Sequence, residues 1–121
     1  MNTVTTFLPK AYIGHSSPRI TSVMWSRLLK DNIFGSTAIW GAGAKGATFC
    51  NVVDPDCKWI RFVVDITPEK QGKFIPGTGH PIVSYMALKD VDTVLLMNPN
   101  YHDENQLMLD EAGIEARLID V

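Results

Sequence analysis

The stretch that decides the fold is Thr37-Ala38-Ile39-Trp40-Gly41-Ala42-Gly43-Ala44-Lys45-Gly46. A short apolar run stops at glycines spaced as Gly41-x-Gly43-x-x-Gly46. Ala47 to Val53 is then apolar again, until Asp54-Pro55. This reads as a strand, a glycine-rich turn and a helix. Glycines let the backbone turn sharply and approach another group closely. The helix that follows offers unpaired N–H groups and the positive end of its dipole at its start.

Downstream, the run from Trp59 to Ile66 is β-branched and aromatic and predicts a buried strand over 60–65. Residues 67–81 hold three prolines and three glycines and read as a long loop, which in a compact domain is usually functional or disordered. Pro81-Ile82-Val83 suggests a short strand, and Ser84 a cap on a short helix through Leu88. Asp92 to Met97 predicts a strand at 93–97, stopped by Asn98-Pro99-Asn100. A helix is expected over 101–112, closed by Gly113, and a last strand over 115–120. Upstream, Ser16-Ser17-Pro18 has the form of a helix start. Ile20, Val23, Met24, Leu28 and Leu29 give an amphipathic stripe over 18–31, ended by Asn32 and Gly35. Residues 1–18 are expected to be an N-terminal arm or linker.

Strands and helices alternate, and the strands are continuously apolar. Both features point to a parallel sheet covered on both faces. The reading is a single α/β domain over 19–121, with about five strands in the order 3-2-1-4-5 and right-handed crossovers. Ligands bind such sheets at the carboxyl ends of the strands, where the strand order reverses. Here that crevice lies between the first and fourth strands, beside Gly41–Gly46 and Asn98-Pro99.

Composition sets the outer bounds. The 121 residues are 45% hydrophobic and 20% charged, as in ordinary globular domains. The net charge of −2 is not that of a protein built to grip nucleic-acid backbones. The longest apolar runs, such as Val94-Leu95-Leu96-Met97, are far below the ~20 residues that span a bilayer. No signal peptide is visible at the start. Cys50 and Cys57 form neither a disulfide framework nor a metal knuckle, so a reduced, cytoplasmic setting is expected.

Two segments carry candidate chemistry. In the first, Gly41, Gly43, Lys45 and Gly46 would cradle an anionic group. Asp65, about 20 residues on, stands where an acidic residue accepts from ribose hydroxyls. The alternative is that the small residues only let strand and helix pack closely. In the second, Lys70, Gln71, Lys73 and Thr78, set among Pro-Gly turns, would clamp an anion or a sugar. The alternative there is a solvated loop pinned by Phe74. His80 lies beside this loop and is a candidate contact, or else an exposed loop histidine. Asn98 and Tyr101 flank the crevice, and Tyr101 would stack on a base or sugar or simply shield it. His15, His80 and His102 are too scattered to suggest a metal site.

Together these segments resemble the C-terminal domain of S-adenosylmethionine-dependent C-methyltransferases that act on nucleotide-linked deoxysugars. The resemblance rests on Gly41-Ala42-Gly43-Ala44-Lys45-Gly46, on Val64-Asp65, on Pro68-x-Lys70-Gln71-Gly72-Lys73-Phe74-x-Pro76-Gly77-Thr78 with Pro81-Ile82, and on Met97-Asn98-Pro99-Asn100-Tyr101. It covers about residues 19–121. It implies a Rossmann-like accessory domain that packs against a methyltransferase domain or subunit and helps to hold a nucleotide-linked sugar. Those enzymes also carry an N-terminal zinc-binding segment with clustered cysteines and a cofactor-binding methyltransferase domain, in which the catalytic histidine lies. Neither is found in these residues. The chain is therefore expected to be a fragment or a free-standing relative, with S-adenosylmethionine held only by a partner domain. No methyl transfer is expected from it alone. Two other readings stand beside this one. The first is a small NAD-type or nucleotide-binding regulatory module, and the second is a ligand-free interaction scaffold. Neither nucleic acid nor a membrane is expected as a partner.

Overall fold

A computed structural model describes residues 20–121. The expected arm, the Ser16-Ser17-Pro18 helix start and His15 lie outside the described residues. Within them, helix α1 spans Ser22–Lys30. Its cap is Thr21, in an extended conformation, whose hydroxyl accepts from the N–H of Met24 at 3.2 Å. The helix is therefore entered later than the stripe from residue 18 predicts. Asn32 (φ 57°) and Gly35 (φ 70°) end it by turning left-handed.

Strand β1, Thr37–Trp40, lies at the centre of the sheet with all four residues buried. The turn leads into helix α2, Ala44–Val53. Strand β2 is Ile60–Val64, β3 is Ile82–Val83, and a 3₁₀ helix follows over Tyr85–Asp90, capped by Ser84. Strand β4 is Thr93–Leu96. A short 3₁₀ turn, Pro99–Tyr101, feeds helix α3, His102–Glu111. Strand β5 is Arg117–Asp120. The five strands form one sheet in the order β3-β2-β1-β4-β5, and every pairing is parallel. This is the expected fold class.

Side chains alternate across a strand, and β1 shows the consequence. Ile39 joins Trp25, Leu29, Phe34, Cys50 and Val53 in a core formed with α1 and α2. Ala38 and Trp40 join Leu88, Leu109 and Ile114 in a second core on the opposite face, formed with the first 3₁₀ helix and α3. Trp25 anchors the first core, with its ring 5.6 Å edge-on from Phe49 and 5.8 Å from Phe34. Helices α2 and α3 thus leave the sheet toward opposite faces from the adjacent strands β1 and β4. That arrangement puts the switch point between β1 and β4, as the strand order requires.

The 67–81 segment is an ordered strap along the outer edge of β3. The N–H of Gly72 donates to Ile82 O, that of Ile82 to Lys73 O, and that of Ile75 to His80 O. Phe74 bridges Pro81 in antiparallel fashion. Covering an edge strand in this way satisfies groups that would otherwise template aggregation. The anchor is not Phe74, which is 63% exposed, but Ile75, which is 1% exposed.

Candidate functional site

Helix α2 begins one residue after Gly43, and the chain can turn there because of its neighbours. Gly41 has φ +123°, and a Cβ on Gly46 would collide with the carbonyl oxygen of Gly41. These two glycines are required by the fold itself. Gly43 is different. Its φ is −79°, it caps α2 without a side chain, and a Cβ there would meet nothing within 4 Å. No packing demand accounts for glycine at this position, and the first turn of α2 carries no acidic side chain.

Asp65 follows the last residue of β2 and turns inward. Oδ2 accepts from the N–H of Ala42 at 2.9 Å, and Oδ1 from that of Thr67 at 2.9 Å. The Gln71 side chain donates to its carbonyl oxygen at 2.7 Å, and Lys70 Nζ lies 3.9 Å from Oδ2. Burial alone would raise the Asp65 pKa, but the Thr67 and Ala42 donors and the Lys70 charge outweigh it and hold the carboxyl below its usual range. Asp65 therefore ties the glycine turn to the strap. Lys45, in the first turn of α2, donates to the carbonyl oxygen of Val121 at 2.9 Å.

Asn98 leaves the end of β4 and caps the 3₁₀ turn, its Oδ1 accepting from the N–H of Asn100 at 3.1 Å. Tyr101 beside it is half exposed. The next residue, His102, places Nδ1 2.6 Å from Oδ1 of Asp120, the last residue of β5. The sequence reading passed over His102 as a site residue. Its only signal was a histidine immediately after the Asn-Pro-Asn-Tyr turn at a strand's carboxyl end.

The structure thus divides the expected site residues. Gly41, Gly43, Lys45, Gly46, Asp65, Asn98 and Tyr101 all follow the carboxyl ends of strands, and Lys70 and Gln71 adjoin them through Asp65. Lys73 is exposed on the strap beside β3. Thr78 and His80 are placed elsewhere. His80 is fully buried, where the sequence reading allowed either a ligand contact or an exposed loop position. Its Nε2 lies 2.9 Å from Oδ2 of buried Asp54, and its Nδ1 meets the Thr78 hydroxyl. Asp54 also accepts from the N–H groups of Lys58, Trp59 and Ile60, Ile60 being the first residue of β2. The Thr78–His80–Asp54 chain therefore welds the strap to the amino end of β2. The Thr78 hydroxyl also accepts from the backbone of His80, and the Asp54 carboxylate is taken up by three backbone donors.

A cavity of about 720 Å³ opens at the opposite edge, between the turn after α1 and the amino ends of β4 and β5. Arg117 lines it, and its Nη1 is buried without a hydrogen-bond partner. The cavity shares no residue with the carboxyl-edge group. Among the described residues, no cluster of three His, Cys, Asp or Glu side chains could hold a metal ion. No helix among them is long and apolar enough to cross a membrane.

Fold and site define a small doubly wound α/β domain, with a glycine turn and a lysine at its switch point and a histidine–aspartate pair at the carboxyl ends of β4 and β5. The chain belongs to the C-methyltransferase C-terminal domain family, whose model matches residues 27–119. No curated protein matches the chain as a relative.

Proposed function

We propose that this domain is the substrate-holding accessory part of a methyltransferase. A phosphate-containing ligand, a nucleotide-linked sugar, would lie in the crevice between β1 and β4, and methyl transfer would belong to a partner domain or subunit. The observation that carries this reading is Gly43. It sits at the start of a ten-residue helix, its φ does not demand glycine, and its missing side chain leaves the backbone open. Unpaired N–H groups at such a terminus attract anions, and Lys45 adds a positive charge in the same turn. Family membership supports the link to methyl transfer.

The residues fit S-adenosylmethionine and dinucleotides less well. Such cofactors use the acidic residue after the second strand to hold a ribose. Here Asp65 is engaged with Ala42 and Thr67 and faces Lys70. Its role is to position the turn, which also weakens the NAD-type alternative.

Calorimetric titration tests the proposal, with uridine, guanosine, cytidine and thymidine diphosphates, their glucose conjugates, NAD and S-adenosylmethionine. A nucleotide or a conjugate should bind. Gly43→Val should weaken that binding severely while circular dichroism stays unchanged. Lys45→Ala should weaken it less, by about 1–3 kcal/mol, with a loss that shrinks in high salt. Micromolar binding of S-adenosylmethionine, or unchanged affinity in a folded Gly43→Val protein, would refute it.

A further inference from the structure

We infer that the cavity of about 720 Å³ at the amino ends of β4 and β5 is a second ligand site, which holds a small amino acid by its carboxylate on Arg117. Arg117 opens β5, and its backbone N–H donates to the carbonyl oxygen of Asp92 at 2.8 Å, so the sheet fixes its place on the cavity wall. Its guanidinium is left unanswered. Nη1 is buried without a hydrogen-bond partner, and Arg117 forms no ion pair among the described residues. Buried polar groups are nearly all hydrogen-bonded in folded proteins, so an exception needs a reason. A shortage of carboxylates is not the reason, because Asp90, Asp92 and Glu115 line the same cavity. Asp92 is committed elsewhere, its Oδ2 accepting from the Ser36 N–H at 2.9 Å and from the Ser36 hydroxyl at 3.2 Å. Asp90 and Glu115 are exposed, and neither pairs with Arg117 or with Lys89, the second cation of the lining.

These charges define the ligand. A guanidinium presents parallel N–H donors that match the two oxygens of a carboxylate. A phosphate dianion would face three carboxylates against two cations. An amine alone would leave Arg117 unanswered. A free amino acid carries both charges, a carboxylate for Arg117 and Lys89 and an ammonium for Asp90 or Glu115. Because Nη1 is closed to water, the ligand must shift the guanidinium slightly to reach it. Paired, charge-assisted hydrogen bonds offset such a shift better than a neutral acceptor does. The cavity shares no residue with the Gly41–Gly46 turn, so this site stands or falls apart from the proposed function.

Amide resonances of the full chain test the inference, with the common amino acids, acetate, methylamine and inorganic phosphate as probes. At least one amino acid should give saturable shifts within 33–35, 89–93 and 115–117 and none within 41–46. It should bind more tightly than acetate, methylamine or phosphate. Arg117→Met should weaken it at least about tenfold, the worth of a hydrogen bond to a charged group. Arg117→Lys keeps the charge without the paired donors and should recover only part of the loss. If Arg117→Met does not fold, the exposed pair Asp90→Asn and Glu115→Gln serves instead, and should weaken the amino acid while leaving acetate unchanged. No saturable shift, shifts centred on 41–46, equal affinity in a folded Arg117→Met protein, or acetate or phosphate binding as tightly as any amino acid would each overturn the inference.

Discussion

Nε2 of His80 lies 2.9 Å from Oδ2 of Asp54, with both side chains buried and 26 positions apart in the chain. Asp54 also collects three backbone N–H groups, so it closes α2, starts β2 and holds the strap at once. Removing one partner of a buried pair strands the other, at a cost of about 3–5 kcal/mol. Asp54→Ala should lose about that much stability in urea titrations. His80→Phe should lose less, because Asp54 keeps its backbone donors. An Asp54→Ala protein as stable as wild type would contradict the assignment.

Acid should expose the same construction. Burial works to raise the Asp54 carboxyl, but donors from Ile60, Lys58, His80 and Trp59 together bring it below its ordinary value. Asp65 is lowered as well. A carboxyl whose folded pKa is depressed contributes stability above its unfolded value, and that stability is lost as pH falls through the folded value. The melting temperature should therefore hold from pH 7 to about 5 and decline below about 4. Asp54→Asn should flatten that decline, and an unaltered acid limb would count against the role given to Asp54.

The glycine turn makes two opposite forecasts. In an exposed helix, glycine to alanine stabilises by about 1 kcal/mol. Gly46→Ala should instead destabilise strongly, because its new Cβ would strike the Gly41 carbonyl. Gly43→Ala meets open space at an ordinary φ and should change stability by less than about 1 kcal/mol. Thermal melts of the two proteins decide, and equal effects would mean the turn is misread.

Arg117 carries the one buried side-chain polar atom without a partner among the described residues. An unsatisfied buried donor costs about 1–3 kcal/mol. Arg117→Met keeps the aliphatic stem and removes the charge, so it should be neutral or more stable by up to that amount. A clear loss in chemical denaturation would show that the guanidinium is satisfied in solution.

The two thiols should react differently. Cys50 is buried in the α2 core, and burial, with the nearby Asp54 and Cys57, pushes its pKa up to about 12. Cys57 is exposed in a turn, with a pKa raised more modestly by partial burial and by Asp54. Since the thiolate is the nucleophile, iodoacetamide at pH 8 should label one cysteine, Cys57, slowly. Cys50 should react only after unfolding, and prompt double labelling would refute this.

What the amino-acid sequence determined by itself was the order and orientation of the layers. Largely apolar runs at 37–40, 60–64 and 93–96, the second broken by Arg61, alternate with helical segments and point to a parallel sheet covered on both faces. Right-handed crossovers then left the order 3-2-1-4-5, with the glycine turn at the switch point. These signals are local, because hydrophobic periodicity and turn chemistry act within a few residues. The partners of particular side chains are not local. His80 meets Asp54 across 26 positions and His102 meets Asp120 across 18, each brought together by a crossover. The inward turn of Asp65 depends on where the Ala42 N–H arrives. Ile75 rather than Phe74 anchors the strap because the register of its pairing with β3 sends Ile75 inward. Only the tertiary structure decided which polar residues of the strap are welded into the interior and which remain at the crevice. The reason is that burial and hydrogen-bond satisfaction are set by the packing of distant segments.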